Sequence, residues 1–473
     1  MSSVNHDLKA LLERLDFSFS KGVFYLTFAL MEGEFKTVIQ QKVADSLGMS
    51  VPELTRRDIH VPSLPGKVLA VIGMRRSGKT TFLWQCLADR LASGVPREAL
   101  LYFNFEDERL SGLPASDLQW LIESYYHLHP ELRDRTRATL FLDEIQIVPG
   151  WEGFVRRLLD TEKVDIFLSG SSARLLSREI ATSMRGRALE VLVHPFSFRE
   201  FLRHRQAEPD KPLAHLAKAA RSTLQSHFAS YLRLGGFPEV QNAAPRDHAA
   251  TLRSYVDVAL LRDVIERHSV SNPLTLRWMV GHLLGNAAAP FSVQKFYATL
   301  KSQGIAVAKD TVHAYLAHLE DAFLIRTVGL HTASERQRMI HPRKAYPVDP
   351  GLIPIFDRTS RSNLGHALET AVLLELERRG AQIGYLRTPS GYEVDFHAAL
   401  PDGTTLLIQV CAELNTPAIL EREVRALQEA HTGHPQATLL LLSLDLLPPV
   451  SLPPSIQWEP ALAWLLNSPT SAH

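Results

Sequence analysis

The sequence predicts an α/β protein built on a parallel sheet, and three observations support this fold class. Short apolar runs alternate with helical stretches between residues 63 and 205, which is typical of strand-helix-strand units. The first run leads into a glycine-rich turn that opens a helix, and the third run ends in two acidic residues. Functional residues collect in this way at the edge where parallel strands end.

The composition is that of a globular chain. Its 473 residues are 45% hydrophobic and 22% charged, which excludes wholesale disorder, a collagen-like repeat and a disulfide-stabilised scaffold. At roughly 150 residues per domain, this length favours about three domains. The 51 basic and 51 acidic residues balance, so the total charge indicates neither a nucleic-acid coat nor an acidic partner.

Cysteine usage and hydropathy favour the cytosol. Cys86 and Cys411 are too few for a disulfide framework or a cysteine-based zinc site. The first fifteen residues lack a signal-peptide pattern, and the best membrane candidates, residues 23–31 and 437–447, are shorter than the ~20 residues that span a bilayer. We therefore expect a cytoplasmic protein without a membrane partner.

Proline and glycine positions and changes in periodicity divide the chain into five predicted segments. These are 1–62, a helical N-terminal extension; 63–205, a first α/β domain; 206–275, a helical segment; 276–346, with a helix-turn-helix pattern; and 347–473, a second α/β domain. In the first α/β domain, five apolar runs predict strands at Val68–Ile72, Leu100–Phe105, Ala138–Leu142, Asp165–Leu168 and Leu189–Val193.

The turn after the first predicted strand carries the pattern G-x-x-x-x-G-K-[ST] and opens a helix at Thr81. Glycines let successive backbone N–H groups surround phosphates, Lys79 reaches the β and γ oxygens, and the Thr80 hydroxyl binds Mg²⁺. The alternative is a glycine-rich turn that binds nothing. We expect ATP and Mg²⁺ to be bound by Gly73, Arg75, Arg76, Ser77, Gly78, Lys79, Thr80 and Thr81.

The third apolar run, Ala138–Leu142, ends in Asp143 and Glu144. A carboxylate at the end of a parallel strand can hold Mg²⁺, and an adjacent one can deprotonate or orient the attacking water. We assign Asp143 to the metal and Glu144 to the water, which predicts hydrolysis as well as binding. The alternative is a solvated strand terminus.

These motifs, together with the run Ile166–Ser172, resemble the AAA-type P-loop ATPases of prokaryotes, in the branch close to the archaeal and STAND-like ATPases. The similarity extends through Gly186-Arg187, His194–Phe201 and Gly235–Glu239, and covers roughly residues 65 to 430. It implies an ATPase domain at 63–205 and a helical lid at 206–275.

The resemblance implies further roles. Ser169, which ends the strand after the Asp-Glu strand, would sense the γ-phosphate; it can equally be a turn or N-cap serine. Arg187, with Arg185 in reserve, would stabilise transition-state charge within the chain or from a neighbouring subunit; the alternative is a solvated loop arginine. Glu106 and Asp107 end the intervening strand and are expected to be surface acids; the alternative is that they tune water or metal.

Ser292–Gly304 and Thr311–Ala322 resemble the winged-helix element that follows the ATPase in this family. The second helix, capped near Asp310 and Thr311, would present Lys309, His313 and Ala317 to DNA, with phosphate-binding cations in the following loop at Arg336, Arg338, Arg343 and Lys344. The alternative is a winged helix that only packs against other domains.

The last segment resembles the restriction-endonuclease-like fold, whose motif is a strand Asp followed by (D/E)-x-K. Glu369 and Asp395 match, but Gln409 and Cys411 replace the acid and the lysine, and no lysine follows Lys344. Between Asp349 and Glu459, fourteen acidic residues outnumber seven arginines, which disfavours a phosphate backbone. We expect a nuclease-like shell without nuclease activity, unless Arg422 substitutes for the lysine.

Three histidine pairs have no companion cluster of Cys or Asp at zinc-like spacing and are expected to be surface or helix residues: His127 and His129, His313 and His318, and His431 and His434.

The expected function is a nucleotide-driven switch that couples ATP binding and hydrolysis to a protein partner or to DNA. The alternatives are an ATP-gated metal-dependent nuclease and a DNA-binding regulator in which ATP is structural. The partner, homo-oligomer formation and the role of residues 1–60 stay open.

Overall fold

The first α/β domain contains a five-stranded sheet in which every strand is parallel to its neighbours. The computed structural model of the chain describes residues 35–170, 186–357 and 363–467. The strands are β1 (Val68–Ile72), β2 (Leu100–Asn104), β3 (Ala138–Asp143), β4 (Val164–Gly170) and β5 (Ala188–Leu192), in the order β2-β3-β4-β1-β5. The predicted parallel α/β fold is confirmed.

The strands are apolar throughout because both faces of the sheet are covered. In β1, Val68, Ala70 and Ile72 contact one hydrophobic cluster, and Leu69 and Val71 contact another. The helices of this domain are α1 (35–48), α2 (Lys79–Ala92), α3 (Gln119–Leu128), α4 (Trp151–Thr161) and α5 (Phe198–His204). Side chains of α1, α3 and α4 belong to the first cluster and those of α2 to the second.

The N-terminal segment differs from the prediction. Within it, residues 35–48 are helical, residues 49–64 form neither helix nor strand, and residues 1–34 lie outside the described part. Pro52 and Pro62 disfavour helix in this stretch. Val51, Leu54 and Ile59 pack instead against the hydrophobic cluster around α2, so this irregular segment lies against the first α/β domain.

The middle of the chain is helical, as predicted, and then forms a helix pair followed by a small sheet. Its elements are α6 (Lys218–Leu234), α7 (Pro245–Val258), a π-helical continuation at Ala259–Glu266, α8 (Pro273–Gly285), β6 (Pro290–Phe291), α9 (Val293–Ser302), α10 (Lys309–Asp321), β7 (Ile325–Val328), α11 (Glu335–Ile340) and β8 (Arg343–Pro347). The sheet has the order β6-β8-β7 and is antiparallel.

Helix α10 buries one apolar face, formed by Val312, Tyr315, Leu316 and Leu319, but two expectations about its surroundings are wrong. The helix begins two residues early, with Ala308 at its N-cap, so Asp310 and Thr311 lie in the first turn. The four cations expected in a loop lie on regular elements: two on α11, and Arg343 and Lys344 on β8. Lys344 is only 2% exposed, because β8 is the central strand of its sheet.

The second α/β domain has a mixed sheet. Its elements are α12 (Ile353–Phe356), α13 (Leu364–Arg378), β9 (Gln382–Arg387), β10 (Glu393–Ala399), β11 (Thr405–Cys411), α14 (Pro417–Gly433), β12 (Thr438–Ser443), β13 (Ile456–Pro460) and α15 (Ala461–Leu466). The order is β13-β12-β11-β10-β9; β9 to β11 are antiparallel and β11 to β13 parallel. Among all described helices, none is long and apolar enough to cross a membrane.

The glycine pair Gly235-Gly236 joins the helical segment to the start of the second α/β domain. A Cβ on Gly235 would lie 1.6 Å from Asp349 Oδ1, and one on Gly236 would lie 2.2 Å from the Phe196 carbonyl. Asp349 is 1% exposed and accepts hydrogen bonds from the backbone N–H groups of Gly236 (2.7 Å) and Gly351 (2.8 Å). Burial raises the pKa of Asp349 to about 7, although both N–H groups oppose this shift.

We expect Asp349 to make stability depend on pH. Since its pKa is raised on folding, the folded state holds a proton that the unfolded state loses above pH ~4, so stability falls as pH rises toward about 7. Asp349→Asn cannot titrate. The unfolding midpoint of the wild type minus that of Asp349→Asn, measured by calorimetry, should therefore be larger at pH 5 than at pH 8. A difference that stays constant or grows with pH would contradict this.

Candidate nucleotide-binding site

The glycine-rich loop leaves the carboxyl end of β1 and enters α2 through Gly78, whose φ of 99° suits glycine. Gly73 has a φ of 149°, and a Cβ there would lie 2.3 Å from the Val193 carbonyl. Arg76 also lies in the left-handed region, at φ 66°. Alternation of this kind turns successive N–H groups toward one concavity, which favours anions.

Lys79 is the first residue of α2 and is only 5% exposed. Its Nζ donates to the carbonyls of Gly73 and Met74, each at 3.2 Å, so the ammonium is held over the loop. Burial lowers its pKa, with Glu144 and Asp143 acting in the opposite direction. The side chain is thus a buried cation inside the loop that should bind phosphate.

Asp143 ends β3 and is fully buried. Its Oδ2 accepts from the Thr80 hydroxyl (2.8 Å) and from the Tyr102 hydroxyl (2.8 Å), while Oδ1 accepts from Ser169. Thr80 and Asp143 therefore meet, as the sequence predicted, and Ser169 contacts the same carboxylate. A hydroxyl and a carboxylate in contact are the oxygen ligands that Mg²⁺ prefers, so this donor set fits the metal.

Glu144 follows at the strand end with φ 55°, a left-handed conformation rare outside glycine. This turn lets its N–H donate to Ser169 Oγ at 3.0 Å and places its carboxylate near Lys79. Burial raises the pKa of Glu144, which outweighs the opposing charge of Lys79. A carboxyl whose pKa moves toward neutrality is better suited to accept a proton from water.

A cleft of about 930 Å³ lies between this edge of the sheet and the helical segment. On one side it is lined by the glycine-rich loop with Glu106 and Glu144, and on the other by α7 and the π-helical turn. Its lining residues include Arg75, Arg76, Gly78, Lys79, Thr80, Thr81, Pro238, Glu239, Tyr255 and Arg262. The volume is in the range of ligand clefts.

Two arginines of the loop cross this cleft. Arg75 forms a forked ion pair with Asp263 of the π-helical turn, at 2.8 and 3.0 Å, and Asp263 is 5% exposed. Arg76 contacts Glu239 at 3.3 Å, and the Tyr255 hydroxyl donates to the same carboxylate at 2.6 Å. Sequence reasoning missed both pairings, because 188 residues separate Asp263 from Arg75 and 163 separate Glu239 from Arg76. The run Gly235–Glu239 belongs to the family resemblance, but it does not indicate which residue Glu239 contacts.

Sequence reasoning also missed Arg57, whose guanidinium hydrogen-bonds to the backbone of the glycine-rich loop. It comes from the extended N-terminal segment, is 5% exposed, and donates to the carbonyls of Ser77 (3.0 Å) and His194. Its Nε lies 3.0 Å from the buried carboxylate of Glu200. Gln85 of α2 holds the Arg57 backbone through two further hydrogen bonds, of 2.7 and 3.0 Å.

The remaining predicted residues separate into near and far groups. Glu106 lines the cleft, whereas Asp107 pairs with Lys42 and Arg109. Arg187 pairs with the exposed Asp160, and its carbonyl accepts from Val68 at the opposite end of β1 from the loop. Arg187 therefore does not reach the site of its own chain, and a role toward a neighbouring subunit stays a prediction. Arg185 lies outside the described residues.

The nuclease-like positions form a separate polar cluster in the second α/β domain. Lys344 Nζ lies 2.7 Å from Glu369, 3.0 Å from Asp395 and 3.0 Å from Glu393. Burial lowers the pKa of Lys344, but Asp395 and Glu369 outweigh it and raise the pKa well above its ordinary value. Gln409 donates to Glu423 at 2.6 Å, and Cys411 contacts the carbonyl of Glu413. Arg422 pairs with Glu423 instead of Asp395.

Comparison with known families agrees with the geometry. Residues 65–202 match the AAA domain family, and residues 225–362 match a domain of unknown function, DUF8612. Over 401 residues the chain is 33% identical to the uncharacterized protein MJ1544 of Methanocaldococcus jannaschii, covering 84% of this chain and 86% of that protein. The chain belongs to this family.

This chain is also 30% identical to an uncharacterized protein of Haemophilus influenzae over 348 residues, covering 73% of this chain and 83% of that protein. Among solved structures, the Walker-type ATPase PABY2304 of Pyrococcus abyssi aligns with a TM-score of 0.40 and 16% identity, covering 67% of this chain and 94% of that one. The AAA domain match and the parallel sheet identify an AAA-type P-loop ATPase domain in this MJ1544 family chain.

We expect Arg57→Met to destabilise the protein by about 3–5 kcal/mol, because it leaves Glu200 as a buried charge without its cation. Nucleotide affinity should fall as well, since the Ser77 carbonyl loses its support. Arg56→Met is the matched control: Arg56 forms an exposed pair with Asp89, worth about 0–1 kcal/mol. Calorimetry and titration with a fluorescent ATP analogue measure both effects. Equal behaviour of the two variants would contradict the assignment.

Proposed function

We propose that this chain is an Mg²⁺-dependent ATPase that acts as a nucleotide-driven switch, in which ATP binding and hydrolysis change the position of the helical lid. The observation that carries the proposal is the forked ion pair between Arg75 of the phosphate loop and Asp263 of the lid. Arg75, which we expect to contact the phosphates, is thereby bound to the helical lid, which we expect to move.

In this proposal the loop amides and Lys79 bind the phosphates, and Thr80 and Asp143 hold Mg²⁺, which neutralises phosphate charge when bound. Glu144 accepts the proton of the attacking water, for which its raised pKa suits it. Ser169 donates to Asp143 and accepts from the Glu144 backbone, so it fixes the two acids relative to one another.

The coupling step is an exchange of partners at Arg75. A terminal phosphate in the cleft competes with Asp263 for the same guanidinium, because both are anions that accept a forked pair of hydrogen bonds. ATP would therefore weaken the hold of the loop on the π-helical turn, and phosphate release would restore it. The lid position would then report the nucleotide state to a partner.

We expect Lys79→Ala to lose ATP binding by 100-fold or more, and Glu144→Gln to retain binding while turnover falls by about 10²- to 10⁴-fold. Binding of a fluorescent ATP analogue and phosphate release measure the two effects separately. Unchanged turnover in both variants would overturn the proposal. A pull-down with Glu144→Gln, which should hold the ATP state, would then identify the partner.

Asp263→Asn tests the coupling apart from the chemistry. It removes the charge that competes for Arg75, so ATP should bind more tightly than in the wild type, by several-fold. Asp257→Asn is the matched control, because Asp257 forms an exposed pair with Arg277 on the same helical hairpin. Equal ATP affinity in the wild type and both variants would contradict the exchange while leaving the ATPase proposal intact.

DNA binding by the helix pair is a second candidate with weaker support. Lys309 and His313 are exposed on α10, as are Arg336, Arg338 and Arg343 farther along. Lys344, expected among these cations, is instead buried with three carboxylates. The positive surface is smaller than the sequence indicated, so we rank DNA below a protein partner.

For the second α/β domain we propose a restriction-endonuclease-like shell without nuclease activity. The order α13-β9-β10-β11-α14-β12, with an antiparallel meander followed by a parallel strand, and the meeting of Glu369 with Asp395 support the fold. The sequence indicated that the lysine of the motif is missing. In the structure, however, Lys344 on β8 places its ammonium beside Glu369 and Asp395.

This ammonium argues against a metal-dependent reaction in the cluster. It lies between the carboxylates that would be the metal ligands, and their other contacts are also made: Tyr346 donates to Glu369 (2.7 Å) and the Val410 N–H to Asp395 (2.9 Å). The arrangement therefore does not fit a divalent cation beside Lys344, and Lys344 neutralises the acids instead.

We expect no Mg²⁺- or Mn²⁺-dependent cleavage of plasmid DNA by the wild type. Lys344→Met removes the internal cation, so added Mn²⁺ should raise the unfolding midpoint of this variant more than that of the wild type or of Lys301→Met, an exposed control. Cleavage by the wild type that is lost in Asp395→Asn would make Lys344 a catalytic group and overturn the proposal.

A further inference from the structure

Three histidines from separate segments meet at one side of the second α/β domain. His331 follows β7, His397 lies on β10, and His434 directly follows α14. One ring nitrogen from each lies within 4.8 Å of the others. The sequence pattern did not predict this group, since His331 and His397 have no histidine partner at short spacing.

The three rings form a compact group. Those of His331 and His397 are stacked, with centroids 3.6 Å apart and an interplanar angle of 13°. The ring of His434 lies 5.5 Å from the first and 5.0 Å from the second, inclined by 57° and 59°. Backbone contacts hold the segment that carries His331 against β9. The His331 N–H donates to the Tyr385 carbonyl at 2.8 Å, and Leu330 forms a β-bridge with Tyr385.

A β-bulge separates this group from the Lys344 cluster. The register of β10 against β9 shifts between Val394 and His397. As a result, Val394 packs with the residues around α14, whereas Phe396 packs with those around α13. Asp395 consequently faces Glu369 of α13, and His397 faces the end of α14, where His434 lies. Bulges often redirect side chains in this way beside functional sites.

The donor set indicates the class of metal. Each of the three imidazoles offers a ring nitrogen, and the three nitrogens lie close enough together to hold one ion. A set of nitrogen ligands favours Zn²⁺ and related transition metals over Mg²⁺ or Ca²⁺, which prefer oxygen.

We propose that His331, His397 and His434 form a three-histidine site for a Zn²⁺-class metal ion, with the fourth position open to solvent beside the exposed His331. With Zn–N bonds of about 2.0–2.1 Å, tetrahedral ligands lie roughly 3.3 Å apart. Because the lone pair of an imidazole nitrogen lies in the ring plane, the His331 side chain must rotate out of its stack on His397 so that both rings point at the same ion. The metal would link the segment after β7 to β10 and to the end of α14.

The test uses the full-length, nucleotide-free, chelator-treated chain. Equilibrium dialysis against Zn²⁺ counts the bound ions, and Co²⁺ reports ligand geometry through its visible absorption. Because His268, His318 and Asp321 form another group able to hold a metal, all measurements are made in a His318→Ala background. We expect one bound ion per chain and a tetrahedral Co²⁺ spectrum in this background.

Adding His331→Ala, His397→Ala or His434→Ala should each weaken binding by at least 10-fold and remove the tetrahedral spectrum. His341→Ala, a half-buried histidine ten residues beyond His331, is the matched control and should change neither. His331 is exposed, so its substitution keeps the test valid if His397→Ala fails to fold. The proposal is wrong if the three variants bind Zn²⁺ as the control does, and neither result depends on the ATPase.

Discussion

The fully buried carboxylate of Asp143 accepts hydrogen bonds from hydroxyls on three different elements: Thr80 on α2, Tyr102 on β2 and Ser169 on β4. Burying a carboxylate costs free energy unless hydrogen-bond donors reach its oxygens. The elements that carry these three hydroxyls are therefore held in fixed positions around Asp143. The position of the phosphate loop relative to Glu144 follows from this one group. If Thr80 and Asp143 hold Mg²⁺ as we propose, only the contact between these two side chains would need to change, and those of Tyr102 and Ser169 would stay.

The helical segment that we propose as a lid contacts this core through ion pairs. Two arginines of the loop extend across the cleft to Asp263 and Glu239, and Arg57 supports the same loop from the other side. The Arg57–Glu200 pair is buried and the Arg75–Asp263 pair partly buried, and such pairs contribute more to geometry than to net stability, whereas the Arg76–Glu239 pair is exposed. Through these contacts the glycine-rich loop is bound to the N-terminal segment on one side and to the helical segment on the other.

The sequence was sufficient where the determinants are local. Continuous apolar runs predicted the five parallel strands, and the spacing of Gly73, Gly78, Lys79 and Thr80 predicted the phosphate loop. The contacts of Asp263, Arg57 and the three histidines could not be predicted, because each joins residues far apart in the chain. Lys344 shows the limit best: neighbouring arginines made it look like a solvated cation, whereas its place on a central strand buries it among carboxylates from the next domain.

Asp349 gives the lid a mechanical connection that reaches beyond the cleft. Its side chain holds the backbone of Gly236 at the end of the lid helix and that of Gly351 just after β8, with no room for a side chain at Gly235. In the switch that we propose, a movement of the helical segment that displaces Gly236 would therefore also displace residues 349–351. These residues lie just after β8, the strand that carries Lys344 into the second α/β domain, so ATP hydrolysis in the first α/β domain would change the position of the second one.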